Sequence, residues 1–139
     1  MILVDTNVVS ELMRPTPAPE VLAWFAGQEV VALFLSAVSE AELRAGAAYL
    51  PAGRRRDSLV AAIDAMVAED FAGRVLAFDS AAARSYAVIA ASRRVAGRPI
   101  AEADCQIAAI AHAHGAAVAT RNVADFLGCS VTVIDPWKS

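Results

Sequence analysis

Several features that define common protein classes are missing from this 139-residue chain. It has only two cysteines, Cys105 and Cys129, which lack the spacing of metal ligands, and no export signal precedes Asp5. We therefore expect two buried free thiols in a cytoplasmic protein. The longest apolar run, residues 30–35, is far shorter than the roughly 20 residues of a membrane-spanning helix. Glycine-rich phosphate loops and Ser-His-Asp or Cys-His sets are also missing, which argues against P-loop NTPases and covalent hydrolases.

Lysine is almost absent, and arginine carries the basic charge. Lys138 is the single lysine among 12 basic residues, and 15 acidic residues give a net charge of −3. This balance argues against a general nucleic-acid coat protein, which would be basic. It is compatible with a nuclease whose acids surround a metal ion. Arginine suits phosphate recognition, but a GC-rich genome would enrich arginine without any such role.

Apolar residues are more abundant than in an average soluble domain. They make up 58% of the chain, against about 45–50% in typical globular proteins. The length is that of one domain, residues 1–139, with room for a proper core. So apolar a chain is expected to cover part of its surface with a second copy, a second protein, or both.

Short apolar runs alternate with helical patterns along the whole chain. The runs that read as strands are residues 2–5, 30–35, 75–78, 117–120 and 131–134. The segments that read as helices are residues 8–13, 20–26, 36–49, 54–71, 80–96 and 102–114. Such alternation predicts an α/β fold with a five-stranded parallel sheet covered by helices on both faces. Thr6 or Asn7 is expected to cap the first helix and Ser36 or Ser39 the third, and Tyr49 is expected in the core.

Four acids lie beside these apolar runs. Asp5 ends the first run, Glu42 follows the second, Asp104 lies early in the last long helix, and Asp125 follows the fourth run. The carboxyl ends of parallel strands meet at one edge of a sheet, where ligands bind. Carboxylates that converge there repel one another unless a cation lies among them, and oxygen ligands suit Mg²⁺ or Mn²⁺. The pattern therefore predicts a metal-dependent phosphodiesterase.

Each acid also has an ordinary explanation. Asp5 fits a capping turn, Glu42 fits a capping box with Ser39, Asp104 fits the positive end of a helix, and Asp125 fits a cap before a turn. Four acids together at one sheet edge favour the metal site. In that interpretation Asp5 and Asp104 are direct ligands, while Glu42 and Asp125 complete a second metal site or hold metal-bound waters. Two such metals activate a water and stabilise the leaving oxygen.

The order and spacing of these residues resemble those of a PIN domain. The resemblance rests on residues 5–7 (Asp-Thr-Asn), residues 39–46 (Ser-x-x-Glu-Leu-Arg-x-Gly), Asp104, and residues 120–126 (Thr-Arg-Asn-x-x-Asp-Phe). The chain is similar in particular to VapC-type toxins of bacterial type II toxin–antitoxin pairs. The ending at residues 135–137 (Asp-Pro-Trp) looks like the FitB-like subgroup.

The resemblance implies a fold, a reaction and partners. It implies a three-layer α/β/α sandwich and an endoribonuclease that depends on Mg²⁺ or Mn²⁺. The family's acids fall on Asp5, Glu42, Asp104 and a fourth position, for which both Asn122 and Asp125 are candidates. The implied partners are an RNA substrate and a VapB-like antitoxin that blocks the site. The implied assemblies are a homodimer or a toxin–antitoxin heterotetramer or octamer that reaches operator DNA through the antitoxin.

Further polar residues are candidates for orienting the substrate. They are Thr6, Asn7, Ser39, Thr120, Arg44 and Arg121. Thr120 and Asn122 are placed to orient metal-bound waters or the scissile phosphate. Arg44 and Arg121 are the arginines closest to the predicted site and the best candidates for a phosphate contact.

The alternatives belong to other classes of protein. A receiver-like signalling domain also has an acidic pocket at strand ends, but it needs a lysine at the end of a late strand, and Lys138 lies beyond the last one. A haloacid-dehalogenase-like phosphatase needs a second aspartate where this chain has Asn7. A PIN-like domain that only binds other proteins is the third alternative, and the four intact acids argue against it.

Overall fold

The centre of the protein is a five-stranded, all-parallel sheet. The computed structural model describes residues 1–138. The strands are β1 (Ile2–Val4), β2 (Leu33–Ser36), β3 (Val75–Leu76), β4 (Ala117–Ala119) and β5 (Val133–Ile134). Their order across the sheet is β3-β2-β1-β4-β5. The central strand β1 pairs Val4 with Leu35 on one side and with Ala119 on the other, so the carboxyl ends of β1, β2 and β4 lie side by side.

Helices cover both faces of this sheet. They are α1 (Thr6–Leu12), α2 (Pro19–Ala26), α3 (Ala37–Ala48), α4 (Arg54–Ala65), α5 (Ser80–Val95), α6 (Glu102–His114) and α7 (Val123–Phe126). Adjacent strand residues point to opposite faces. Leu3 accordingly packs in the core formed with α5 and α6, whereas Val4 packs in the core formed with α1 to α4. The predicted α/β/α sandwich with five parallel strands is confirmed.

Helix α6 is the most deeply buried helix and places one of the acids. Five consecutive residues in its middle, from Ile107 to Ala111, are fully buried, and burial of an isoleucine contributes about 1.5–3 kcal/mol. Gly115, with φ of 65°, ends the helix in the left-handed conformation that glycine favours. The buried middle fixes the helix against the sheet, so that its first turn, with Asp104, is held at the sheet edge.

The second predicted strand was too long at its start. Val30–Ala32 forms a turn of 3-10 helix, and Val30 and Val31 are 63% and 71% exposed. The pairing with β1 begins only at Leu33, opposite Ile2, so the preceding residues have no strand beside them. Arg74 instead donates hydrogen bonds to the carbonyls of Val30 and Leu33, at 2.7 and 2.9 Å.

The predicted cap of the first helix and one predicted core residue were also wrong, whereas the predicted cap of the third helix is confirmed. Asp5, rather than Thr6 or Asn7, caps α1 by accepting a hydrogen bond from the Thr6 amide. Ser36 caps α3, and its hydroxyl accepts from the Ser39 amide, so Glu42 is not part of a capping box. Tyr49 is 84% exposed, because it follows the last turn of α3 at the surface.

The cysteines and the lengths of the helices bear on the expectations drawn from composition. Cys105 and Cys129 are buried free thiols, as predicted. Within residues 1–138, no helix is both long enough and apolar enough to cross a membrane.

Candidate metal and RNA site

Asp5 lies at the centre of the sheet edge and is almost completely buried. It follows β1 directly, and its amide donates to the carbonyl of Ala119 at 2.9 Å. One carboxylate oxygen accepts from the Thr6 amide at 2.8 Å, and the other accepts from the Thr120 hydroxyl at 2.8 Å and from the Asn7 amide group at 3.3 Å. Only 4% of Asp5 is exposed. These donors fix the carboxylate in place, but none of them carries a charge.

Glu42 and Asp104 approach the same edge from two helices. Glu42 lies on the second turn of α3, and its carboxylate accepts a hydrogen bond of 2.7 Å from the Thr6 hydroxyl. Asp104 lies on the first turn of α6 and is half-buried. Thr6 therefore connects Glu42 to the start of α1, the helix that Asp5 caps. Sequence reasoning placed both acids at this edge but did not foresee the hydrogen bond between Thr6 and Glu42.

The carboxylates at this edge share one electrostatic environment. Burial raises the pKa of Asp104 to about 6, and the charges of Asp5, Asp125 and Glu42 act in the same direction. Burial likewise raises the pKa of Asp5, against the opposing hydrogen bonds from Thr120 and Thr6, and Glu42 and Asp125 raise it further. The neighbouring carboxylates are thus close enough to Asp5 and Asp104 to disfavour the ionisation of these two residues.

Within residues 1–138 no basic side chain forms an ion pair with this cluster, although the more distant charge of Arg93 opposes the rise in the pKa of Asp104. In the described part of the chain, residues 1–138, the ion pairs within 4.0 Å involve Glu11, Glu40 and Asp64 but none of the four acids. Buried or crowded carboxylates are costly unless a positive charge compensates them. Carboxylate and hydroxyl oxygens are ligands that Mg²⁺ and Mn²⁺ favour, so the chemistry of the donors fits a divalent metal.

The acids are near one another but do not yet converge on a single point. Among residues 1–138, no three acidic, histidine or cysteine side chains are arranged so as to hold a metal ion. Asp5 and Glu42 instead accept hydrogen bonds from the hydroxyls of Thr120 and Thr6.

The two candidates for the fourth acidic position differ in their effect on the site. Asn122 precedes α7, and its amide donates to the Thr120 hydroxyl at 3.0 Å. Asp125 lies within α7, and its charge acts on both Asp5 and Asp104. Asn122 thus helps to hold the hydroxyl that contacts Asp5, whereas Asp125 contributes negative charge.

The predicted substrate-orienting residues do not all reach the acids. Arg44 is occupied by Glu40 and Asp64, with nitrogen–oxygen distances of 2.8 Å to each. Ser39 is fully buried and its hydroxyl has no hydrogen-bond partner in the described chain, so a substrate has no access to it. Arg121 differs from both, because it is exposed and lies just before α7.

The region that carries these residues matches a known family. A family model described as PIN domain matches residues 2–126, from β1 to the end of α7. The chain belongs to the PIN-domain family. The resemblance inferred from the sequence is therefore confirmed, and the receiver-like and phosphatase alternatives are removed.

Relatives extend the similarity of this PIN domain to the whole chain. VapC ribonuclease Y4jK of Sinorhizobium fredii is 46% identical over 138 residues, which is 99% of each chain. Toxin FitB of Neisseria gonorrhoeae is 42% identical over 137 residues, again 99% of each chain. The crystal structure of FitAcB from the same organism has a TM-score of 0.94 and 41% identity over 100% of both chains. A structure of FitAB bound to an IR36 DNA fragment has a TM-score of 0.92, 41% identity and coverage of 99% and 96%.

One residue of the PIN domain that sequence reasoning missed is Arg93, on the last turn of α5. It is only 7% exposed. Its guanidinium donates to the carbonyl oxygens of Arg98, Asp125 and Leu127, at 2.7, 2.9 and 2.9 Å, and to the Cys129 sulfur at 3.3 Å. Arg93 therefore holds the segment that carries Asp125. The signal in the sequence is its spacing of four residues from buried Ile89 on the same helix.

The raised pKa of Asp104 predicts how the stability of the metal-free PIN domain depends on pH. The folded pKa, about 6, is higher than the ordinary value of 3.8, so the folded state binds the proton more tightly than the unfolded state. Stability is therefore expected to fall as pH rises from about 4 to 6. Since Asp104 is half exposed, solvent screening reduces the contribution to about 1 kcal/mol.

Urea unfolding at pH 4.5 and pH 7 in the presence of EDTA measures this effect. The Asp104→Asn variant is the matched control, because all other titrating groups are unchanged in it. The difference in unfolding free energy between the wild type and the variant should change by about 1 kcal/mol between these pH values. Parallel pH profiles for the two proteins would refute the expectation.

Proposed function

We propose that this PIN domain is the toxin of a type II toxin–antitoxin pair and cleaves RNA with Mg²⁺ or Mn²⁺. The observation that carries the proposal is the group of four carboxylates at the sheet edge. The charges of this group raise the pKa of Asp5 and of Asp104, and within residues 1–138 none of the four forms an ion pair. The similarity over the full length to VapC ribonuclease Y4jK supports the nuclease activity, and the similarity to Toxin FitB supports the role of a toxin. The expected place of action is the cytoplasm.

The chain's own residues are assigned roles in the reaction. Asp5 and Asp104 would hold the metal directly, and Glu42 and Asp125 would complete its surroundings. When bound, the metal supplies a Lewis acid for the phosphate oxygens and lowers the pKa of a bound water. Thr120 fixes the orientation of Asp5 through its 2.8 Å hydrogen bond.

Other side chains hold the acids in position, and a helix dipole offsets part of their negative charge. Thr6 positions Glu42 by the 2.7 Å hydrogen bond between their side chains. Asn7 donates to Asp5 and accepts from the Arg121 amide at 3.2 Å, so it links the strand β1 to the loop after β4. The positive end of the α6 dipole at Asp104 offsets part of the crowded negative charge.

The proposed partners follow from the complexes in which similar proteins have been solved. FitAB was solved bound to an IR36 DNA fragment. We assign to this chain a VapB-like antitoxin that covers the acidic edge, and contact with operator DNA through that antitoxin. A homodimer of the toxin, or a larger toxin–antitoxin assembly, would cover part of the surface of this apolar-rich chain.

Cleavage of single-stranded RNA by the purified protein tests the proposal. Cleavage should occur with Mg²⁺ or Mn²⁺, stop when EDTA is added and resume when excess metal is restored. The protein encoded beside this gene should inhibit cleavage at a stoichiometric ratio. Cleavage that continues unchanged in EDTA would contradict the metal-dependent mechanism, and metal-loaded protein that leaves every RNA intact would contradict the nuclease assignment.

A further inference from the structure

An open pocket of about 560 Å³ lies directly beside the acidic edge. Its lining includes Arg121, Asn122 and Asp125 from the segment after β4, together with Asp135 and Lys138 from the segment after β5. One wall of the pocket is therefore an acid of the proposed metal site, and two other side chains that line it are cations. An RNA strand whose scissile phosphate lies at the acids would have an adjoining nucleotide close to this pocket.

The guanidinium of Arg121 is held in place by an aromatic ring. Its central carbon lies 4.8 Å from the centre of the Trp137 ring, which is a cation–π contact. Trp137 packs against the core formed with α1 to α4, and its amide donates to the Asp135 carboxylate at 2.9 Å. The backbone of Arg121 is fixed as well, because its amide donates to the Asn7 side chain at 3.2 Å.

The charge of Arg121 is left unpaired. Over residues 1–138, no carboxylate oxygen lies within 4.0 Å of its guanidinium. The carboxylate of Glu11 senses the charge of Arg121 but is already bonded to Arg14 at 3.1 Å and to the Ala18 amide at 2.9 Å. Arg44 provides the contrast, since both of its acidic partners lie at 2.8 Å.

We propose that Arg121, stacked on Trp137, forms a subsite for a phosphate of the RNA strand next to the phosphate that is cut, and that Lys138 completes it. The planar guanidinium presents paired N–H donors that match a phosphate, and the stacked ring reduces the freedom that binding would otherwise remove. This inference rests on the proposed ribonuclease function. It gives the motif at residues 135–137 a role, because the tryptophan of that motif supports the arginine.

Binding of a labelled single-stranded RNA of 20 nucleotides, measured in Mg²⁺ over a range of salt concentrations, tests this subsite. The measurements use the Asp104→Asn protein, so that the RNA is not cut. Arg121→Ala should weaken binding about ten-fold and should lower the slope of log affinity against log salt by about 0.7, the loss of one phosphate contact. Arg94→Ala, which removes the same charge from an exposed position on α5, should leave both values unchanged.

Two further comparisons separate a subsite from a structural role. Trp137→Leu should weaken RNA binding, whereas Trp137→Phe should restore it because it keeps a ring beneath the guanidinium. With Asp104 intact, Arg121→Ala should raise KM for RNA while kcat changes little, since the lost contact is made equally in the ground and transition states.

Two results would overturn the subsite, and a third would overturn only the ribonuclease proposal. Equal RNA affinity in the Arg121→Ala and Arg94→Ala proteins would reduce Arg121 to ordinary surface charge. Loss of antitoxin binding with RNA affinity intact would make the pocket a protein-binding site instead. If wild-type protein cut no RNA although Arg121→Ala still weakened RNA binding, the ribonuclease proposal would fail while the subsite stood.

Discussion

Replacing Asp104 with asparagine is expected to lower the rate of RNA cleavage by about 10³-fold, because a metal-held charge contributes several kcal/mol to the transition state. The side chain keeps its size, so the fold should persist. Removing one of several mutually repelling charges should leave the melting temperature of the metal-free protein at pH 7 equal or higher. Single-turnover cleavage rates and thermal melts of the same preparations provide both values.

The matched control for Asp104 is Glu102, two residues earlier on the same helix. Glu102→Gln removes one negative charge from the first turn of α6 but from an exposed position. Its cleavage rate should stay within a factor of about three of the wild type, because a single exposed charge near the end of a helix has only a small energetic effect. If both substitutions slowed cleavage equally, the effect would come from the charge of the helix terminus rather than from a metal ligand.

Replacing Arg93 with methionine is expected to lower the free energy of unfolding by about 3 kcal/mol, because it removes hydrogen bonds from a buried cation to several carbonyl groups. The carbonyls of Arg98, Asp125 and Leu127 would lose this donor. Methionine fills similar space but donates no hydrogen bond. Urea unfolding with a constant m-value measures the loss.

Arg94→Met is the control for this substitution. Arg94 is adjacent in sequence but exposed, and surface substitutions usually change stability by about 0.5 kcal/mol or less. The Arg93→Met protein should also lose cleavage activity at temperatures where it remains folded, because the segment that carries Asp125 is no longer held. Equal stability of the two variants would show that the bonds of Arg93 to the chain contribute little.

The sequence predicts best those parts of the fold that local chemistry determines. The bounds of α6, Glu102–His114, were predicted correctly, since an apolar helical pattern there is closed by a glycine. The bounds of β2 were not, because the partner strand β1 offers only three residues for pairing. The apolar character of Val30 and Val31 alone could not reveal where that pairing begins.

In the site, too, some features could be predicted from the sequence and others could not. Parallel strands bring their carboxyl ends together, so the grouping of Asp5 with Glu42 and Asp104 could be anticipated from element order. Contacts that depend on side-chain packing could not, and these include the hydrogen bond from Thr6 to Glu42 and the burial of Arg93. The choice between Asn122 and Asp125 likewise depends on distances to other charges, which a sequence does not contain.

Calorimetric titration of Mn²⁺ into the wild-type protein and the Asp104→Asn variant tests the central claim most directly, because it requires neither the RNA nor the antitoxin. The account predicts saturable binding to the wild type, with release of protons near pH 6 as Asp104 ionises. It predicts at least ten-fold weaker binding to the variant, because removal of a metal ligand, or of a group that supports one, usually lowers metal affinity by about that factor or more. Equal Mn²⁺ affinity in the two proteins would contradict the claim that these acids form a metal site.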